Sequence, residues 1–222
     1  MNTRPRIMIV LTTILLAMVA GGCEKPPVPE QTESSSVAES RTTNGSLLDS
    51  LDVSGDIDTS ASTSPPDDPT TAVFLGLRTS KPATWLWQPP KRSMRKANYL
   101  IPGRNGSEPA ELIVTHFPEA PGNTPEANIQ RWTSQFRSVD GGPAKAQVER
   151  MTVESMPVTL MEIHGEYMGM GGAWHKADQR MVVAMVQAPA GSIFIKMLGP
   201  DDTVLVNRDD FMDFIRGLAP TR

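Results

Sequence analysis

Two groups of side chains in this chain have residue types suited to binding chemistry. The first is a glycine-rich stretch that carries His164, Met168, Met170 and His175. Thioether and imidazole groups are suitable ligands for Cu(I), so these four residues are predicted as a speculative metal site. Methionine is also a flexible filler of apolar cores, and the chain contains 13 of them. A loop without metal therefore stays open as the other interpretation.

The second group lies on a predicted helix, where Asn128, Arg131 and Gln135 are expected to share one face. The planar guanidinium of arginine presents a fork of donors that matches a carboxylate or phosphate group. Together with Arg95, which lies in a short basic run, these residues are predicted to bind an anionic group or a partner protein. A solvated polar helix face, with the arginine paired to a nearby carboxylate, is the alternative.

The motifs of common enzyme classes are missing from the sequence. There is no G-x-S-x-G nucleophile motif and no phosphate-binding P-loop. The glycines of residues 169–172 look superficially like a dinucleotide-binding loop, but no helical pattern follows them. The sequence therefore predicts a protein without catalytic activity, and it predicts no cofactor.

The chain has one cysteine, Cys23, and it stands at the end of an apolar run. Arg4 and Arg6 give the amino terminus a positive charge, and residues 7–20 carry none. A charged start, an apolar stretch and small residues before a cleavage point are typical of an export signal. The stretch is shorter than the roughly 20 apolar residues that a membrane-spanning helix needs.

The ending Ala20-Gly21-Gly22-Cys23 resembles the lipobox of bacterial lipoproteins, although leucine is more usual than Ala20 at the first position. In that family a diacylglycerol is attached to the thiol, the signal is removed, and the new amino group is acylated. The resemblance implies that residues 1–22 are a signal peptide and that Cys23 is lipidated. The protein would then be anchored through its lipids to a membrane of the cell envelope, on the extracytoplasmic face. A soluble secreted protein is the alternative.

Residues 23–71 are predicted to be a lipidated cysteine followed by a disordered tether. More than half of residues 24–71 are Ser, Thr, Pro or Gly, none is aromatic, and their net charge is −8. Such a segment cannot bury enough apolar surface to offset the entropy lost on ordering. A flexible chain of this length spans roughly 40 Å, so the folded part would stay near the bilayer without lying on it.

Residues 72–222 are predicted to form one α+β domain. Helices are expected from Thr124-Pro125, a hydroxyl cap followed by proline, and from a cap at Asp201 or Asp202 onward to Leu218. Hairpin-length connections imply a mostly antiparallel sheet with two main helices packed on it. The glycine-rich residues 166–179 are expected to be irregular, and strands are predicted at 94–101, 110–117, 145–153, 158–163, 181–187 and 192–198.

The charge of this domain indicates which partners to expect. Residues 72–222 carry a net charge of only +2, whereas a nucleic-acid-binding domain usually has a strong basic excess. No nucleic acid is therefore predicted as a partner.

Several short runs in the domain resemble an uncharacterised family of bacterial lipoproteins. They are Trp85-Leu86-Trp87-Gln88-Pro89-Pro90, Met94-Arg95, Asn128-x-x-Arg131-Trp132-x-x-Gln135-Phe136 and Lys196-Met197-Leu198-Gly199-Pro200 before a final helix. The order of elements is similar to the PsbP/Mog1-like α/β/α sandwich, over roughly residues 74–219. The resemblance implies a fold whose members are mostly binding or assembly accessories. We therefore expect a lipid-anchored binding or assembly protein with a protein partner, and a Cu(I)-binding lipoprotein is the alternative.

Overall fold

The computed structural model describes residues 58–117, 122–169 and 175–221, which belong to one compact unit of the chain. The predicted signal peptide, Cys23, most of the tether and Met170 lie outside the described residues. Within the described part of the chain, no helix has the length and apolar character needed to cross a membrane. The elements are β1 (Thr71–Phe74), β2 (Leu77–Ser80), β3 (Leu86–Trp87), β4 (Arg95–Ile101), β5 (Ala110–Phe117), α1 (Pro125–Thr133), β6 (Phe136–Arg137), β7 (Gln147–Val153), β8 (Met156–Tyr167), β9 (Lys176–Ala188), β10 (Gly191–Pro200), α2 (Asp201–Val206), α3 (Arg208–Arg216) and β11 (Ala219–Pro220).

The main sheet is antiparallel throughout, with the strand order β3-β4-β5-β10-β9-β8. The strands β6 and β7 both pair with the outer edge of β8. A second, smaller antiparallel sheet joins β1, β2 and β11. The predicted α+β class, a mostly antiparallel sheet with a few helices, is confirmed.

Both faces of the main sheet are covered. Successive side chains of a strand point to opposite faces, and in β9 both sets are apolar. One set, with Val182 and Ala184, packs with Phe211 and Phe214 of α3. The other set, with Val183, packs with Trp132 of α1 and the remaining apolar side chains of that face. The sheet therefore separates two cores, with α1 on one side and with α3 and the small sheet on the other.

The hairpin between β7 and β8 turns at Glu154 and Ser155, and β8 begins at Met156, two residues before the predicted start at 158. Both residues have positive φ angles, 46° and 64°. Two left-handed residues in a two-residue loop match the twist of the flanking strands. This turn fixes the register that places Glu162 and the residues after it on β8.

The carboxyl-terminal helical region differs from the prediction, because it divides into α2 and α3 at Asn207. The side chain of Asn207 donates to the carbonyl of Thr203 at 2.8 Å and accepts from the indole N–H of Trp85 at 3.3 Å. A helix cap at Asp201 or Asp202 is wrong, because Pro200 is the cap and both aspartates lie in the first turn. The carboxylates still face the helix amino terminus, where negative charge is favourable.

The prediction that residues 166–179 are irregular is wrong at both ends. β8 continues to Tyr167 and β9 begins at Lys176, and these two residues are paired across the strands. The glycines of the segment lowered its apparent strand propensity, while pairing with a neighbouring strand extended both elements.

Residues 58–70, which the sequence assigns to the tether, contain neither helix nor strand. The backbone N–H of Ser62 donates to the carbonyl of Lys96 at 3.3 Å, and the ammonium of Lys81 donates to the carbonyl of Pro69. The segment therefore reaches the domain beside the beginning of β4.

Candidate functional site

A cleft of about 380 Å³ lies between α1 and the strands β4, β5 and β10. Four cationic side chains line it, and five large apolar side chains form most of the remaining wall, together with Ser93 and Thr115. We call it the cationic cleft; the cations are Arg92, Arg95, Arg131 and Lys196, and the apolar residues are Met94, Ile113, Phe117, Trp132 and Phe194.

The register of the sheet explains why these residues meet. Thr115 on β5 is paired with Arg95 on β4 and with Phe194 on β10. Ile113, which is two residues before Thr115 on β5, is paired with Lys196. Residues that are directly opposite, or two apart on one strand, share a face of the sheet. The three central strands therefore present one mixed cationic and apolar surface beneath α1.

Lys196 is the most unusual member of the cationic cleft. It is partly buried in a strand whose neighbouring positions are apolar, and no described residue forms a hydrogen bond or ion pair with its ammonium group. Burial lowers the pKa of Lys196, and the charges of Arg95 and Arg131 lower it further, while Glu111 acts in the opposite direction. The site therefore holds a cation that lacks a direct counter-charge.

Arg131 is held over the cleft by α1. Thr124 caps the helix, because its hydroxyl accepts from the backbone N–H of Ala127 at 3.2 Å. One turn into the helix, the side-chain oxygen of Asn128 accepts from the guanidinium of Arg131 at 2.6 Å. The same guanidinium lies 5.3 Å from the ring centre of Trp132, within the range of a cation–π contact. Both contacts orient Arg131 without neutralising its charge.

Arg95 carries the one ion pair of a cleft-lining residue within the described parts of the chain. Its guanidinium binds the carboxylate of Glu111 at 2.7 Å, and about two fifths of the Glu111 side chain is exposed. Glu111 offsets one of the four positive charges, so the cleft keeps an excess of positive charge.

The apolar wall of the cleft is built from packed rings. Trp132 and Phe194 meet edge to face, with ring centres 5.4 Å apart. Phe117 adds a tilted contact with Phe194 at 5.1 Å. Trp132 is only 6% exposed, so it is mainly a core residue that lends one edge to the cleft. Such packing fixes the wall, which suits the binding of an apolar group.

A second cleft, of about 430 Å³, lies beside the first and shares Arg95 with it. We call it the polar cleft; it is also lined by Gln88, Lys91, Asn98, Glu111, Tyr167 and Gln179. Asn98 is 7% exposed, and its side-chain oxygen has no donor among the described residues. Asn98 is paired with Ile113, so it lies on the same face of the sheet as Lys196.

The cationic cleft has the chemistry of a binding site. Its described lining contains the hydroxyls of Ser93 and Thr115 but no carboxylate or imidazole that could act as their general base. The four cations beside an aromatic wall can instead bind a ligand that has both an anionic group and an apolar group.

The predicted binding residues are only partly brought together. Arg95 and Arg131 line one cleft, although they come from different elements. Asn128 is buried, and its side-chain oxygen accepts the hydrogen bond that orients Arg131. Gln135 does not share the helix face, because α1 ends at Thr133 and Gln135 lies buried beyond it.

Sequence reasoning missed Lys196 as a site residue. A signal was present, because a lysine within the apolar strand residues 192–198 must either reach solvent or meet a counter-charge. The sequence could not show that this strand is central in the sheet. Nor could it show that Arg95 of β4 and Arg131 of α1 line the same cleft as Lys196.

The described members of the predicted Cu(I) site lie at the ends of β8 and β9. His164 is exposed on β8, and Nδ1 of His175 is 2.9 Å from a carboxylate oxygen of Glu166. In the described ranges no three His, Cys, Asp or Glu side chains are grouped to hold a metal ion. Met170 lies outside those ranges, so the methionine–histidine site stays a prediction. Titration with Cu(I) tests it, with a Met168→Ala, Met170→Ala double variant as the comparison.

Comparison with known proteins gives similarities of structure only. No family model matches the chain, and no curated protein matches it. The solution structure of the cyanobacterial PsbP protein of Synechocystis sp. PCC 6803 is similar, with a TM-score of 0.45, 11% identity, and coverage of 75% of this chain and 96% of that one. A protein of unknown function from Pseudomonas aeruginosa has a TM-score of 0.44, 8% identity, and coverage of 69% and 97%.

Proposed function

We propose that this protein is a non-catalytic binding or assembly accessory, held by lipids on Cys23 to a membrane on its extracytoplasmic face. The observation that carries the proposal is the cationic cleft, where Lys196, Arg95 and Arg131 converge on an apolar wall. Convergent cations beside an apolar wall are suited to holding an anionic partner.

The partner is a protein that presents an acidic surface. The excess positive charge of the cleft favours such a surface over a basic one, because complementary charge steers association. The tether supports this role, since the roughly 34 residues before residue 58 would let a membrane-anchored domain search a volume roughly 30 Å in radius. The small net charge of residues 72–222 supports a protein partner over a nucleic acid.

Photo-crosslinking in intact cells tests this function. A photoreactive phenylalanine at Met94, which is 47% exposed at the rim of the cleft, should capture a defined protein that mass spectrometry identifies. The matched control carries the same group at Leu205, which is 51% exposed on α2. The proposal expects capture at position 94, little at 205, and loss of capture when Arg131→Glu is added.

Two outcomes would contradict this proposal. One is equal capture of the same proteins at positions 94 and 205, which indicates non-specific proximity. The other is capture at position 94 that survives the charge reversal at Arg131, which places the contact outside the cationic cleft.

A further inference from the structure

The cationic cleft and the polar cleft form one continuous face of the sheet. Asn98, Ile113 and Lys196 are directly paired across β4, β5 and β10. Neighbouring strands lie about 4.8 Å apart, so the backbones at Asn98 and Lys196 are separated by roughly 10 Å. An extended peptide rises about 3.3 Å per residue, so three residues cover this distance.

Each end of this row lacks a partner that a peptide could supply. At one end, the ammonium of Lys196 has no hydrogen bond or ion pair within the described chain, and a carboxylate would satisfy it. At the other end, the carboxamide of Asn98 lines the polar cleft, and its oxygen, which is itself enclosed, has no donor among the described residues. A peptide bond has both a donor and an acceptor, so it can pair with that carboxamide in either orientation of the amide.

The middle of the row is apolar. Ile113 lies between Asn98 and Lys196, and the Trp132–Phe194 pair stands beside it. An apolar side chain that covered this surface would exclude water from the contact at Lys196, and electrostatic attraction is stronger where water is excluded. A free phosphate ion would use the cations alone and would leave both the apolar wall and Asn98 without a partner.

We propose that the two clefts together bind an extended peptide segment of the partner, with a carboxylate at Lys196, an apolar side chain against Phe194 and Trp132, and a backbone amide at Asn98. This inference rests on the proposed binding function and specifies what that site recognises. In an extended segment, side chains two positions apart point the same way. The simplest recognised sequence is therefore an acidic residue and an apolar residue separated by one position.

Calorimetric titration of the purified full chain with blocked tripeptides tests this specificity. We expect acetyl-Glu-Ala-Phe-amide to bind, and the Gln-Ala-Phe and Glu-Ala-Ala peptides each to bind about tenfold more weakly. Lys196→Met should weaken the first peptide about tenfold, and Asn98→Ala about fivefold. The control Arg78→Met removes an exposed cation from the small sheet and should leave binding unchanged, while the melting temperature of each variant reports its folding.

The results separate this inference from the proposed function. Equal affinity for the glutamate and glutamine peptides, or unchanged binding by Lys196→Met, would overturn the peptide specificity. Benzoate that binds as tightly as the peptide and depends on the same residues would also overturn it, in favour of a small organic anion. If crosslinking at position 94 still captures a protein in any of these cases, the binding function stands and the peptide inference alone fails.

Discussion

At the scale of the residue, the proposed binding role of Lys196 would come at the expense of stability. The guanidinium groups of Arg95 and Arg131 line the same cleft as its side chain, and burial together with those two charges lowers the pKa of Lys196. A partly buried cation without a direct partner opposes folding, because it loses hydration that nothing in the described chain replaces. Ile113, which is paired with Lys196 on β5, packs without a loss of charge hydration because its side chain is apolar. The cost is understandable if a ligand supplies the missing carboxylate.

Replacing Lys196 with methionine should therefore stabilise the free protein. A gain of about 1 kcal/mol is expected from removing the unpaired charge, or roughly 3 °C in melting temperature for a domain of this size. The advantage of the variant should shrink as pH rises through the lowered pKa of Lys196, because the wild-type side chain then becomes neutral in the fold. Thermal unfolding between pH 7 and 10 measures both effects. A fall in melting temperature at pH 7 would show that Lys196 has a structural partner.

The cleft could be anticipated from the sequence only in part. Arg95 and Arg131 can be named as candidates from the sequence, because the donor fork of a guanidinium group matches an anionic group. Their meeting point depends on the pairing of Thr115 with both β4 and β10, which is a long-range contact. Gln135 was assigned to the same helix face because the 3.6-residue period continues past the point where α1 ends.

At the scale of elements, an ion-pair network fastens α2 and α3 to the main sheet. Glu162 on β8 binds both Arg180 on β9 and Arg208 on α3, the latter at 2.8 Å. Arg180 also binds Asp201 at the start of α2, at 2.8 Å. Burial tends to raise the pKa of Glu162, but hydrogen bonds from Arg208 and Arg180 outweigh it and hold that pKa below its usual value.

Replacing Glu162 with glutamine should loosen this attachment. The change leaves Arg208 without its carboxylate and Arg180 with Asp201 alone, and a loss of about 2 kcal/mol in the free energy of unfolding is expected. Because the folded-state pKa of Glu162 is lowered, its contribution is present above pH 4.5 and is lost as pH falls through that lowered pKa. The unfolding free energies of the two proteins should therefore converge in acid.

Denaturant titrations from pH 7 down to pH 3 measure this convergence. The matched control is Glu126→Gln, which removes an exposed carboxylate from its ion pair with Arg150 at 3.3 Å and should have little effect. A constant difference between wild type and Glu162→Gln at every pH would contradict an electrostatic origin.

Gly199, near the end of β10, is required by close packing against β5. A Cβ atom at position 199 would lie 2.5 Å from the Cβ of Ala110 and 2.6 Å from its Cα. Gly199→Ala should therefore force the strands apart and cost about 2 kcal/mol of stability. At Gly142 an added Cβ would meet only the exposed side chain of Asp140, at 3.3 Å, so Gly142→Ala serves as the control. Equal melting temperatures for the two variants would contradict this role.

Elements with strong local signals were predictable, and those made by distant contacts were not. The period-two pattern marks β5 within its observed bounds, and the Thr124-Pro125 pair marks the start of α1. The strand β11 has two residues and exists because Ala219 pairs with Arg78 of β2, far away in the chain. No local sequence pattern predicts such a strand.

On the scale of the whole molecule, the sequence divides into three parts by charge and composition. An apolar run with two arginines precedes Cys23, an acidic stretch poor in apolar residues follows it, and a nearly neutral domain completes the chain. The described domain has its core on two faces of one sheet, and residues 72–222 contain no cysteine for a lipid or a disulfide. The proposed anchor and the proposed binding surface should therefore be separable by mutation.

Changing Cys23 to serine should release the protein from the membrane without altering the cationic cleft. Serine offers no thiol for a diacylglycerol, and without acyl chains the remaining acidic tether has no means of stable attachment to lipid. Fractionation of cells should find the wild type with the membranes, extractable by detergent, and the serine variant in the soluble envelope fraction. Both forms should bind acetyl-Glu-Ala-Phe-amide equally, because the cleft lies entirely within the folded domain. A serine variant that stays with the membranes would mean that something other than lipid on Cys23 holds the protein there.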